Sequence, residues 1–353
     1  EQCRRAGIDI VMVTGDQAPT ALNVAEAVGI VDGPDAPVMH GQELKSPRDL
    51  SDGDRRKLRE ARIFARVSPA QKLDLIALHQ EAGSVVAMTG DGVNDAPALK
   101  KADIGVAMGE RGTQVAREVA DVVLKDDSFK TIVHAVREGR VIFGNIRKFV
   151  LYLLSCNIAE IIVIFLATLL NTAALPITAL QILFLNLVTD VFPALALGVG
   201  EDGGDVMDRP PRPPHEPIVT RRHWLEVSAY GLVLGLSTLG AFLISARVLD
   251  HTVTRSVTVA FLSLALGQLF HACNMRGPGA PLVRNEITRN PWVWGALAFC
   301  TILLLVAVYV PVVNDALDTV HPGAAGWALI LVAALLPVLI DTVSRTFYTP
   351  APR

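Results

Sequence analysis

The chain has 353 residues, of which 51% are hydrophobic and 19% charged, with a formal net charge of −3 and a mean hydropathy of +0.41. That balance is too apolar for an ordinary soluble domain and too charged for a purely membrane one, and the slight acidity gives no electrostatic support for nucleic acid as a partner. The four cysteines, Cys3, Cys156, Cys273 and Cys300, stand in no zinc or disulfide spacing and read as reduced thiols. The composition divides along the chain: residues 1–147 are mixed and charged, and residues 148–347 are dominated by apolar runs.

The chain opens at Glu1 in a helix-like stretch, 1–7, which is expected of a fragment or truncated product. Residues 8–13 (IDIVMV) form a short apolar run that stops at Thr14-Gly15-Asp16, and a helix pattern covers about 19–28. Residues 31–60 are polar, with Gly, Pro and Asp, and read as a surface excursion. A second run, 63–67, leads into helical periodicity over 69–81. A third, 84–88 (SVVAM), stops at Thr89-Gly90-Asp91-Gly92. Short strands are expected at 104–108 and 122–124, with a helical stretch near 113–119 between them. Strands alternating with helices indicate a parallel sheet with crossover helices, in which ligands bind at the carboxyl ends of strands. The polar residues of interest stand at such ends.

A phosphate or phosphoaspartate site needs a hydroxyl and backbone N–H groups for oxygens, a fixed cation, and carboxylates for magnesium. Thr14 supplies a hydroxyl, and Gly15 lets the backbone come close. Lys72, in a turn-to-helix segment, supplies a positive charge. Asp91 and Asp95 span a Gly-containing turn suited to a hard ion, and Asn94 adds a polar contact. Taken singly, each is a common turn or surface feature, so this chemistry alone leaves a phosphate site and a set of turns both open.

The stretch 88–99, MTGDGVNDAPAL, resembles the hinge signature of P-type ATPases, within the haloacid-dehalogenase-like superfamily. Val13-Thr14-Gly15-Asp16 and the run 64–72, FARVSPAQK, resemble two further motifs of that family, in the same order. The resemblance continues through 109–124 and the apolar region. It implies that Thr14 binds phosphate, that Lys72 contacts it, and that Asp91 and Asp95 are magnesium-side carboxylates. The family's aspartyl nucleophile lies in a DKTGT motif, which does not occur here. Asp16 and Asp91 match other positions and do not replace it. The nucleotide-binding domain, the actuator domain and the first four spans of the family also have no counterpart in this sequence.

Apolar runs of spanning length occur at about 149–170, 180–199, 225–246, 257–273, 292–313 and 327–340; the fourth and sixth are short and carry polar residues. Arg137, Arg140, Arg147 and Lys148 precede the first. The 171–179 loop has no Lys or Arg. Arg209, Arg212, Arg221 and Arg222 follow the second run, and Arg276, Arg284 and Arg289 the fourth. Asp315 and Asp318 follow the fifth; Arg345 and Arg353 close the chain. Arg247 and Arg255 break strict alternation. This pattern places the N-terminal domain, the 200–222 loop and the tail on the cytoplasmic side. The amphipathic stretch 128–148 runs into the first span without Pro or a Gly-rich linker and is similar to the family's stalk helix.

Ionisable groups at membrane depth are costly and usually functional. The first span carries Asn157 and Glu160, three apart; the second carries Asn186, Thr189 and Asp190, followed by Pro193. Two carboxylates, two amides and a hydroxyl are hard oxygen ligands that suit Ca²⁺ or another hard cation. Interhelical hydrogen bonding accounts for either Asn alone but poorly for Glu160 and Asp190 together. Residues 157–160, NIAE, and 186–190, NLVTD, resemble the ion motifs of calcium pumps of the sarcoplasmic reticulum class, as does the 207–212 loop, MDRPPR. Gln268 falls where that class has an acidic ligand, which implies one ion per cycle or a different cation.

The expected fold is therefore a partial α/β haloacid-dehalogenase-like (Rossmann-like) phosphorylation domain over 1–127, a stalk helix over 128–148, an all-α six-helix transmembrane bundle over 149–347, and a tail over 348–353. The expected function is part of an ATP-driven cation pump of the cell membrane, multi-pass. Its cofactors are Mg²⁺ and ATP, its cargo is Ca²⁺, and its partners are the lipid bilayer and the missing N-terminal pump domains. The isolated chain is expected to be catalytically incomplete. The rival is a truncated, non-enzymatic membrane protein that binds cations or associates with other pump chains.

Overall fold

The computed structural model describes residues 1–44, 50–172, 174–201, 206–277 and 280–347. The chain forms two compact units, Glu1–Gly139 with Asp205–Glu216, and Arg140–Gly204 with Pro217–Arg353.

In the first unit the order is α1 (Gln2–Arg5), β1 (Met12–Val13), α2 (Ala18–Ala27), β2 (Val38–His40), α3 (Asp52–Glu60), β3 (Ile63–Ala65), α4 (Pro69–Glu81), β4 (Ala87–Gly90), α5 (Ala96–Lys101), β5 (Ile104–Met108), α6 (Gln114–Val119) and β6 (Val122–Leu124). All strand pairs are parallel, as the alternation of strand and helix predicts. The strands form two three-stranded sheets rather than one, ordered β1-β3-β2 and β4-β5-β6. The central strands are the dry ones: Ile63, Phe64 and Ala65 are fully buried in β3, and Val106 and Ala107 are buried in β5. The edge strands β1 and β4 carry the Thr14–Asp16 and Asp91–Asp95 loops at their carboxyl ends.

Local chemistry explains most helix starts. Ser68 and Gln71 close a reciprocal capping box on α4, and Pro69 opens the helix where its missing N–H costs nothing. The 31–60 stretch is more than a surface excursion, since it contains β2 and α3. Ser51 and Asp54 cap α3 in the same reciprocal way. Of its nine residues only Leu58 is buried, so α3 has no apolar stripe for periodicity to reveal.

The turn after β5 is held by Asp127, which accepts from the N–H groups of Gly109 (2.6 Å), Glu110 (3.1 Å) and Arg111 (2.8 Å). Burial raises this carboxyl; the three N–H donors and the Arg111 guanidinium outweigh it and hold it below the usual carboxylate range. A group lowered on folding contributes stability above its unfolded pKa, and that stability is lost as pH falls through the folded value. An Asp127→Asn chain is thus expected to melt at a lower temperature at neutral pH, with the gap shrinking below about pH 4. Melting curves across pH check this; a pH-independent gap contradicts it.

Residues 206–216 join this unit although they lie between two apolar helices in sequence. A 3₁₀ turn, Val206–Asp208, buries Val206 and Met207, and Asp208 pairs with Arg5 near α1 at 3.8 Å.

The second unit contains α7 (Phe129–Leu169), which begins in the first, then α8 (Ala179–Phe184), a π turn (Leu185–Thr189), α9 (Val191–Gly198), α10 (Arg221–Arg247), α11 (Val253–His271, continued as a 3₁₀ turn to Met275), α12 (Pro291–Tyr309), α13 (Pro311–Leu317) and α14 (Gly323–Phe347). Among the described residues, six helical segments are long and apolar enough to cross a membrane. The fifth ends at Tyr309 rather than 313, because Pro311 cannot continue the hydrogen-bond ladder and opens α13 instead. The sixth is longer than its apolar run, and the 348–353 tail lies outside the described residues.

The fourth run is not a marginal span. α11 is sheathed by protein: 89% of its apolar window is buried, against 33–44% in the other five. Its polar residues therefore face helices rather than lipid. α10 approaches α7 through Gly231 and Gly235, where an added Cβ would fall 2.5 Å from Ile158 Cγ2 and 2.8 Å from Ile162 Cγ2. This small-xxx-small spacing brings the two helices close.

Candidate phosphoryl site and candidate cation site

Thr14 follows β1 directly. Its Oγ1 donates to Asp16 Oδ2 (2.9 Å) and accepts from the Asp16 N–H (3.1 Å). Gly15 is exposed, with nothing within 4 Å of the point where a side chain would begin. Lys72 stands in the first turn of α4, and its Nζ lies 2.6 Å from Asp95 Oδ1, both side chains mostly buried. Asp95 Oδ2 also accepts from the Gly92 N–H at 3.3 Å. Gly90 makes this packing possible, because a Cβ there would fall 2.6 Å from Asp95 Cβ. The Asp91 carbonyl accepts from the Thr113 N–H (2.8 Å), which fixes the loop. The Asp91 carboxylate is exposed and forms no hydrogen bond or ion pair among the described residues; Asn94 is likewise exposed.

The structure thus brings Lys72 and Asp95 together across the two sheets. Among the described residues no hydrogen bond links Thr14 and Asp16 to the Asp91–Asp95 loop. No group of three or more His, Cys, Asp or Glu side chains converges on a metal position among the described residues. Two carboxylates, one of them unpartnered, fit an ion that keeps most of its water and is completed by phosphate oxygens, as Mg²⁺ does.

In the second unit, Glu160 is buried. Its Oε2 accepts from Asn186 Nδ2 (3.0 Å) and its Oε1 from Gln268 Nε2 (3.1 Å), which joins α7, the π turn and α11. Asp190 is 1% exposed. Both of its carboxylate oxygens, and Oε1 of Gln268, are buried without a hydrogen-bond partner. Thr189 is buried, but its hydroxyl donates back to the Leu185 carbonyl (2.8 Å). Asn157 is exposed and donates to the Leu153 carbonyl of its own helix (2.8 Å) rather than to a member of the cluster.

The π turn is the feature that hydropathy does not reveal. The Asp190 N–H bonds the Leu185 carbonyl, five residues back. Two carbonyls at the end of the turn meet side chains distant in sequence: Cys300 Sγ lies 3.4 Å from Val188 O, and Tyr152 Oη 3.5 Å from Thr189 O. Such turns cluster at functional sites. The available signal was Pro193, which has no N–H for the carbonyl of Thr189 four residues before it.

Comparison with known proteins matches residues 1–103 to the haloacid dehalogenase-like hydrolase family and residues 174–347 to the cation transporting ATPase C-terminus family. A calcium-transporting ATPase of Bacillus subtilis is 41% identical over 342 residues, covering 96% of this chain and 38% of that protein. Calcium-transporting ATPase 1 of Bacillus cereus is 37% identical over 98% of this chain and 40% of its own length. A calcium-transporting ATPase of Listeria monocytogenes is 36% identical over 99% and 39%. The chain therefore spans about two fifths of the length of these curated relatives. With its α/β domain and its apolar helices both matched, and in that order, the chain belongs to the P-type cation-transporting ATPases and carries their C-terminal part.

Proposed function

We propose that this chain is the C-terminal part of an ATP-driven pump of the cell membrane and that Ca²⁺ is its cargo. The observation that carries the reading is the pair of buried, unpartnered Asp190 oxygens next to a Glu160 carboxyl already gathered by two amides. A fold does not leave buried acceptors empty without reason, and hard oxygens suit Ca²⁺. The names of the relatives point to the same ion. Asn186 and Gln268 donate to Glu160; rotating each amide about its terminal bond would offer the carbonyl oxygen to a cation instead. Glu160, Asp190, Asn186 and Gln268 then form the shell. Thr189 contributes through its backbone turn, and Asn157 stands outside this shell.

In the first unit, Thr14, with Gly15 and Asp16, and Lys72 hold phosphoryl oxygens. Asp91, Asp95 and Asn94 serve the Mg²⁺ side. Bound Mg²⁺ neutralises charge developing on the transferred phosphoryl group. The acceptor aspartate and the ATP site belong to parts of the full-length protein outside this sequence, which has no DKTGT. The 128–148 stretch of α7 acts as a stalk, and the distribution of Lys and Arg puts the first unit in the cytoplasm.

The test is ATP hydrolysis and ion uptake by the full-length gene product in sealed vesicles. Ca²⁺ is expected to stimulate both, and the isolated chain is expected to form no acyl-phosphate from ATP. Hydrolysis indifferent to every cation tried, or acyl-phosphate on the isolated chain, would refute the reading.

A further inference from the structure

We propose that Asp341, on α14, is a positioning residue for the cation site: with Arg276 and Arg345 it fixes the end of α11, and so the height at which Gln268 meets Glu160. The inference rests on the pump reading above. Asp341 is buried, and among the described residues it forms no hydrogen bond or ion pair with a proposed cation ligand. Its Oδ2 lies 2.8 Å from Arg276 Nη2, both its oxygens lie 2.9 Å from Arg345 Nε, and Tyr230 of α10 donates to its Oδ1 at 2.5 Å.

The two guanidinium groups have a second task. α11 ends in the 3₁₀ turn Ala272–Met275, and helix ends leave carbonyls without partners. Arg345 donates to the carbonyls of Asn274 (2.9 Å), Gly277 (3.2 Å) and Arg276 (3.3 Å). Arg276 donates to those of Cys273 (3.1 Å) and Ala280 (3.3 Å). One carboxylate on α14 therefore serves as shared counter-ion to the two cations that tie off α11. Without its charge, the buried Arg276 guanidinium and the partly exposed one of Arg345 would lose the carboxylate they share, a costly change for a buried ion pair.

From this clasp a continuous set of contacts leads toward the site. Arg276 has donors only, so the oxygen of Asn274 turns to it (3.5 Å) and the Asn274 amide nitrogen turns to His271 Nδ1 (3.2 Å). The His271 ring packs 4.6 Å from that of Tyr230 and stacks 6.0 Å from that of Tyr152, whose hydroxyl reaches the Thr189 carbonyl. Gln268 lies one helical turn before His271 on α11. A shift of α11 along its axis would break the 3.1 Å bond from Gln268 to Glu160 and disturb the π turn together.

Equilibrium Ca²⁺ binding to the full-length protein tests this, with Asp341→Asn, Gln268→Ala, the double variant and Glu160→Gln. Asp341→Asn is expected to raise the dissociation constant by about threefold to thirtyfold. In the Gln268→Ala background it is expected to add nothing, because the link it acts through is already gone. Normal binding by Asp341→Asn, or losses that multiply in the double variant, overturns the inference alone. If Asp341→Asn does not accumulate folded, Arg345→Lys replaces it in the same comparison, since lysine keeps the charge and loses the fork to three carbonyls. Unaltered binding by Glu160→Gln overturns the site reading and this inference with it.

Discussion

Asp190→Asn in the full-length protein is expected to weaken Ca²⁺ activation of ATP hydrolysis by about a hundredfold or more, the scale of losing one buried charged ligand. The same substitution is expected to leave thermal stability in the absence of Ca²⁺ unchanged or raised. The two halves belong together. A buried carboxylate that served the fold would have partners, and removing it would leave those partners stranded. Among the described residues no amide, hydroxyl or cation meets Asp190: both oxygens are buried, with only the weakly donating Cys156 thiol beside them. Its cost to the cation-free fold is repaid only when something binds, as is usual where function and stability oppose each other. Activation curves and melting curves on one preparation decide the matter. Wild-type activation sinks the assignment of Asp190 as a ligand, and a large loss of cation-free stability shows a structural role instead.

Lys72→Ala is expected to slow phosphoenzyme formation in the full-length protein by about 10²–10³-fold, the effect of removing one donor from a developing charge. The Lys72–Asp95 contact of 2.6 Å ties the first turn of α4 to the loop after β4. The ammonium keeps the Asp95 carboxylate turned toward the β4 loop, and Gly90 leaves just enough room for it. The loss should fall on the rate of phosphoryl transfer and leave the Ca²⁺ concentration for half-activation in place, because no described contact of Lys72 reaches the second unit. Rapid-quench measurement of acyl-phosphate checks this. A rate within a few-fold of wild type removes Lys72 from the site.

The residues proposed for both sites could be singled out in the sequence because their signals are local. Thr14, Lys72, Asp91 and Asp95 follow strand-like runs, and a carboxylate such as Glu160 is conspicuous in an apolar run. What stayed hidden depends on partners distant in sequence. α3 escaped notice because a helix with one buried residue has no periodicity to detect. Asn157 and Glu160 share a spacing that suggests one face, yet only Glu160 meets α11. The π turn depends on Tyr152 and Cys300, which lie 37 and 112 residues from the carbonyls they approach. Arg276 and Arg345 read as loop and tail charges, but the fold turns both onto Asp341.

The sheathing of α11 bears on how the protein is made. Its mean hydropathy, 1.5, is the lowest of the six spanning segments, whose others run from 1.8 to 2.4. During synthesis, lipid can solvate the outer helices as they emerge, but it is a poor host for Ser256, Thr258, Ser263, Gln268 and His271 of α11, all buried in the finished protein. The shell that accepts them includes α14, which packs along α11 but follows it in the chain by two further helices, α12 and α13. α11 must therefore wait in an incomplete setting, with α10 as an early companion, until α14 arrives to enclose it.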